Sequence, residues 1–130
     1  MEEKRTIFLV DDDMDQLTQL QIQVQALGFD TVLAESQKEA EEKLETFKPD
    51  LAILDLMMEN QDSGFILSYK MKKKYPDVPV IIATAVRAET NMSFGIESDT
   101  DRNWIKADAY LEKSVRGDQL QREINKLLKL

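Results

Sequence analysis

At 130 residues, with 42% hydrophobic and 32% charged side chains, the chain has the size and balance of one globular domain that can bury a core without covalent staples. It holds no cysteine and no histidine, which excludes disulfide frameworks, zinc–thiolate sites and histidine-based triads and leaves carboxylates, lysines and hydroxyls to carry any chemistry. The net charge of −8, from 17 Lys+Arg against 25 Asp+Glu, opposes sequence-independent binding to nucleic acid and adsorption to anionic membranes.

Residues 1–6 lack the basic start and apolar run of a signal peptide, and no apolar stretch approaches the ~18 residues of a membrane span, so a cytoplasmic protein is expected. No repeat, low-complexity tract or Pro/Gly/Ser-rich linker divides the chain, and residues 1–130 read as one domain without an output domain. Ile7-Phe8-Leu9-Val10 is apolar on both faces, as suits a buried strand of a parallel sheet, and ends at Asp11. The spacing of Leu17, Leu20, Val24 and Leu27 predicts a helix over 14–27, stopped by Gly28 at C′. Thr31-Val32-Leu33-Ala34 predicts the second strand. Ser36-Gln37-Lys38-Glu39 has the form of a capping box, and Ala40, Leu44 and Phe47 give the next helix its apolar face.

Leu51-Ala52-Ile53-Leu54 predicts a third buried strand, ending at Asp55. Phe65, Ile66, Tyr69 and Tyr75 mark a helix over about 64–75 that Pro76 ends. Val78 to Ala83 predicts the fourth strand, ending at Thr84, and Ala109-Tyr110-Leu111 a short fifth, ending near Lys113. Leu120, Ile124, Leu127 and Leu128 mark the last helix. Residues 86–106 carry no clean helical period and are expected to form a long loop with a short or irregular helix. Strands alternating with helices imply an α/β fold whose sheet is mostly parallel, with right-handed crossovers.

Polar residues fall at the ends of four of these strands: Asp11-Asp12-Asp13, Asp55, Thr84 and Lys113. The carboxyl ends of the strands form the ligand-binding edge of an open parallel sheet, so the fold brings these residues to one edge. Several carboxylates there would repel one another, and a hard divalent cation such as Mg²⁺ offsets that most naturally. An aspartate can act as a covalent nucleophile toward phosphorus. Phosphoryl transfer then needs chiefly positioning and charge neutralisation, to which Lys113 brings a point cation and the Thr84 hydroxyl a neutral donor. No general base is required, because a carboxylate is already ionised at pH 7. Taken alone, Asp-Asp-Asp before a helix also reads as N-capping with favourable helix-dipole charge. A calcium loop starting at Asp11 is excluded, since Gln16 and Ile22 stand where glycine and glutamate are needed.

With those residues in order, the sequence resembles the receiver domain of two-component response regulators over essentially its whole length. The resemblance is carried by Ile7 to Asp13, Pro49 to Met58, Val80 to Ala85 and Ala107 to Lys113. It implies a flavodoxin-like, doubly wound, five-stranded parallel sheet in the order 2-1-3-4-5, flanked on both faces by five helices. It also implies that Asp55 is the phosphoacceptor of a phosphorelay switch, and that Asp11, Asp12, Asp55 and the backbone carbonyl of Met57 hold Mg²⁺. Thr84 would be the switch hydroxyl, Lys113 the partner of a phosphoryl oxygen and Tyr110 the aromatic that reports the switch. The implied partners are a histidine kinase or histidine phosphotransfer protein, a downstream protein target that the resemblance does not name, and a second copy in a homodimer.

The sequence departs from the family pattern in three places. Met58-Glu59 replaces the usual Met-Pro, and Gly64 stands nine positions after Asp55, in a loop longer than usual. Lys113-Ser114 replaces Lys-Pro, and the span from Thr84 to Lys113 is long. Met57 and Val86, two residues past Asp55 and Thr84, are both apolar, which predicts slow self-hydrolysis of an aspartyl phosphate. The 86–106 loop, with the sole tryptophan at Trp104, is expected to rearrange with phosphate. Two other functions compete. One is a pseudo-receiver acting as an interaction module independent of phosphorylation. The other is a phosphatase of the haloacid dehalogenase type with its nucleophile at Asp11, which would leave Asp55 unexplained.

Overall fold

The computed structural model describes residues 5–56, 63–84, 109–112 and 117–128, and of Thr84, Tyr110 and Glu112 the backbone. The expectations for Met57, for the 86–106 loop and for Lys113 with its bond to Ser114 lie outside those residues. Strand β1 (Thr6–Val10) sits between β2 (Asp30–Ala34) and β3 (Leu51–Asp55), and β4 (Val80–Thr84) and β5 (Ala109–Glu112) extend the sheet beyond β3. All four pairings are parallel and the order is β2-β1-β3-β4-β5, as expected.

Both faces of the sheet are covered, which is why the strands read as continuous apolar runs. Side chains alternate along each strand. Phe8, Val10, Ala52, Leu54, Val80 and Ile82 pack under helices α2 (Gln37–Leu44) and α3 (Ser63–Lys74). Ile7, Leu9, Leu51, Ile53, Ile81 and Leu111 pack under α1 (Met14–Ala26) and α4 (Gly117–Leu128). The predicted apolar stripes do this work: Leu17 and Val24 of α1 and Leu120, Ile124 and Leu128 of α4 are buried.

Helix ends follow local chemistry. Asp13 caps α1, its carboxylate accepting the N–H groups of Asp15 and Gln16 at 2.9 and 3.3 Å. At the other end Gly28 adopts φ +98°, its N–H bonds the Gln25 carbonyl and the Phe29 N–H bonds that of Val24, which is a Schellman closure. The capping box of α2 forms with one change. Ser36 Oγ accepts the Glu39 N–H at 3.0 Å, but the Glu39 carboxylate reaches one residue further back, to the N–H of Glu35 at 2.9 Å.

Four expectations are corrected. Phe47 lies past the end of α2 rather than on it, yet its ring still packs edge-to-face on Phe8, with centroids 5.6 Å apart. The buried stripe of α3 is Phe65, Leu67, Ser68 and Met71, whereas Ile66 is half-buried and Tyr69 is exposed. Ser68 is fully buried with them, which a search for large apolar residues overlooks. Tyr75 follows α3, where its hydroxyl donates to the Leu44 carbonyl at the end of α2 at 2.8 Å. β4 opens at Val80 rather than Val78, because Pro79 has no N–H to give the ladder; its carbonyl accepts from Ala52. Among the described residues no helix is long and apolar enough to cross a membrane.

Candidate functional site

The register of β1 on β3 builds the site. Val10 pairs with Leu54, so Asp11 and Asp55 are the next residues on two adjacent parallel strands. Such strands run about 4.8 Å apart. Alternation keeps both aspartates in phase with Leu9 and Ile53, on the α1 side of the sheet. Asp11 and Asp55 are 5% and 4% exposed, a level of burial that carboxylates reach only when something compensates their charge. Asp12 is exposed.

Oxygens of Asp11, Asp12 and Asp55 all lie within 4.8 Å of one another. One oxygen of Asp11 accepts the N–H of Asp13 at 2.9 Å, which fixes the carboxylate's orientation. Asp13 thus serves the helix through its side chain and the site through its backbone. Of the run's three residues, the side chain of Asp13 caps α1 while those of Asp11 and Asp12 join the acidic cluster.

At an effective dielectric of about 20, two unit charges at this separation repel by roughly 3–4 kcal/mol. The three side chains offer carboxylate oxygens as donors. That donor set suits a hard divalent cation, and Mg²⁺ in particular, which accepts one or two carboxylates and leaves further positions for water and phosphate oxygens. The residues therefore fit the ion that the sequence led us to expect.

Thr84 is the last residue of β4, one position past Ala83, which is paired with Asp55; Thr84 itself is paired with Glu112 of β5. Tyr110 lies in β5 opposite Ile82. Lys113 follows directly on β5 but falls, like Met57, outside the described residues. One close neighbour of the site carried little weight in the sequence, namely Gly64 in the first turn of α3. Its N–H donates to the Leu56 carbonyl at 2.7 Å. The available signal was its place in the family pattern, nine positions after Asp55.

The family model of the response regulator receiver domain matches residues 7–125. The chain belongs to the response regulator receiver domain family. A solved CheY-like receiver domain protein from Methanospirillum hungatei superposes with a TM-score of 0.81 at 25% identity, covering 98% of this chain and 95% of that one. The response regulator TrrA from Thermotoga maritima, solved in complex with Mg²⁺-BeF, superposes with a TM-score of 0.77 at 28% identity, covering 95% and 98%. Among curated proteins, the heme response regulator HssR of Staphylococcus saprophyticus is 32% identical over 95% of this chain and 51% of its own length. The alkaline phosphatase synthesis transcriptional regulatory protein PhoP of Bacillus subtilis is 28% identical over 96% and 49%. The chain spans about half the length of these two regulators. Receiver domains are signalling switches of two-component systems rather than classical enzymes, and this chain has their fold and an acidic cluster at the carboxyl edge of its sheet.

Proposed function

We propose that the chain is a phosphoacceptor switch in which Asp55 takes a phosphoryl group from a phosphohistidine on a kinase or phosphotransfer partner. A carboxylate oxygen of Asp55 attacks phosphorus, the P–N bond to the donor imidazole breaks, and the freed nitrogen takes a proton from solvent. The product is an acyl phosphate on Asp55. The observation that carries this reading is the buried pair Asp11 and Asp55, met by Asp12 within 4.8 Å.

Asp11, Asp12 and Asp55, with the backbone carbonyl of Met57, would hold Mg²⁺. When bound, the ion neutralises charge on the transferring group. Asp11 is oriented by the Asp13 N–H and supplies fixed negative charge beneath the exposed Asp12. Burial limits solvent around the Asp55 carboxylate and strengthens charge interactions there relative to open water. Thr84 and Lys113 would bind phosphoryl oxygens, and Tyr110 would relay the change to the face formed by residues 86–113. That face would bind a downstream protein target, with homodimerisation as a further outcome. The cytoplasm is the expected location.

Incubation with acetyl phosphate and Mg²⁺ tests this. Intact mass should rise by one phosphoryl group, in an acid-stable, base-labile adduct that Asp55→Asn abolishes. A chain that gains nothing is an interaction module independent of phosphorylation. One that turns over and is disabled at Asp11 is a phosphatase.

A further inference from the structure

The first turn of α3 approaches the backbone of Asp55 itself. The leading N–H groups of a helix have no partner within it, and the N–H of Gly64 is taken by the Leu56 carbonyl at 2.7 Å. Leu56 in turn donates its own N–H to Ala83 of β4 at 3.1 Å. α3, β3 and β4 are thereby tied together one residue beyond Asp55.

The approach leaves no room. A Cβ on Gly64 would lie 2.5 Å from the Asp55 carbonyl oxygen and 2.7 Å from Leu56 Cα. Both obstacles are main-chain atoms, so no change of rotamer relieves them. Ordinary contact begins near 3.4 Å, and the two segments would have to part by about 0.9 Å (3.4 − 2.5). Backbone conformation does not demand a glycine here: among the described residues the glycine with positive φ is Gly28. Glycine is also the poorest helix former after proline. What this position requires is the absence of a side chain.

A catalytic constellation must be held within about 0.5 Å of its productive geometry, and a displacement near 1 Å can slow a reaction by on the order of 10²-fold. We propose that Gly64 is a positioning residue for Asp55, letting α3 clamp the end of β3 so that the Asp55 carboxylate stays level with Asp11 and Asp12. This inference rests on the reading of Asp55 as the phosphoacceptor. A glycine needed for packing alone would affect stability and leave the chemistry of each folded molecule intact.

The test compares wild type, Gly64→Ala and Met71→Ala by melting temperature, by calorimetric Mg²⁺ affinity and by the initial rate of phosphoryl uptake from acetyl phosphate. Met71 is buried at the far end of the same helix, so its truncation lowers stability without touching β3's end. The expected result is that folded Gly64→Ala takes up phosphate on the order of 10²-fold more slowly and binds Mg²⁺ severalfold more weakly. Met71→Ala should keep the wild-type rate and Mg²⁺ affinity at a lowered melting temperature. Wild-type rate and Mg²⁺ affinity in Gly64→Ala would overturn the proposal whatever its stability. So would failure of Gly64→Ala to fold even in the cold with osmolyte, because the close approach would then be a condition of folding. If wild type takes up no phosphate, the phosphoacceptor reading fails, and the Mg²⁺ affinities alone decide whether Gly64 positions Asp55.

Discussion

Neutralising Asp55 should make the metal-free protein more stable. Asp55→Asn keeps the shape of the side chain and removes one of two buried like charges. With oxygens no more than 4.8 Å apart, the repulsion of Asp55 from Asp11 is roughly 3–4 kcal/mol at an effective dielectric near 20. Solvent reaches the cluster past the exposed Asp12, and the asparagine amide must find its own partners, so a net gain of about 1–2 kcal/mol is expected. For a domain of this size that is a rise in melting temperature of roughly 3–8 °C. Thermal unfolding in low salt with EDTA measures it directly. The same experiment with Mg²⁺ supplies the complementary half. At ten times its dissociation constant a ligand adds about 1.4 kcal/mol by mass action, an increment that wild type should show and Asp55→Asn should largely lose. An asparagine variant no more stable than wild type in EDTA, with an undiminished response to Mg²⁺, would refute the account of the cluster as mutual repulsion awaiting a cation.

Three further outcomes are expected. Asp13→Ala removes the α1 cap and should cost about 1 kcal/mol in chemical denaturation, while phosphoryl uptake proceeds as in wild type, since Asp13 contributes its backbone to the site and its side chain to the helix. The Glu35 N–H and then Lys43 hold the Glu39 carboxyl below the ordinary glutamate value of 4.5. A depressed folded-state pKa adds stability above the unfolded-state value and loses it as pH falls through the folded-state value. Wild type should therefore exceed Glu39→Gln at neutral pH by less than about 1 kcal/mol, because the side chain is 37% exposed. The two melting curves should converge once the pH has fallen below the folded-state value. Finally, Met57→Asn should shorten the lifetime of the aspartyl phosphate in a phosphate-release assay, by supplying the hydrogen-bonding side chain that an attacking water lacks; an unchanged lifetime would place water control elsewhere.

What could be foreseen from the chain depended on how locally each feature is encoded. Strand cores announce themselves, because a strand covered on both faces must be apolar at every position, as Ile7 to Val10 and Leu51 to Leu54 are. The order 2-1-3-4-5 came through resemblance to a known family, since apolar runs do not say which strand neighbours which. Given that order, the convergence of Asp11 and Asp55 follows from where each run stops: two strands that pair Val10 with Leu54 must place the next two residues side by side. The division of labour within Asp11-Asp12-Asp13 was not legible, because capping and cation binding ask for the same residue type, and only helix geometry shows that Asp13 faces the α1 N–H groups. Ser68 was missed for a related reason. Burial tracks position as well as hydrophobicity, and Ser68 is buried because it lies on the inner stripe of α3.

Gly64 marks the limit of such inference most clearly. A glycine after a loop and inside a helix has several local explanations, among them a turn, a weak helix start and a close approach. What separates them is the distance from a missing atom to the backbone of a residue nine positions earlier, 2.5 Å to the carbonyl oxygen of Asp55. No periodicity or propensity encodes that distance, because it arises only when α3 folds back on the strand that precedes it. The acidic residues of the site are visible as chemistry at strand ends. The role proposed for Gly64 rests instead on space that a side chain would need.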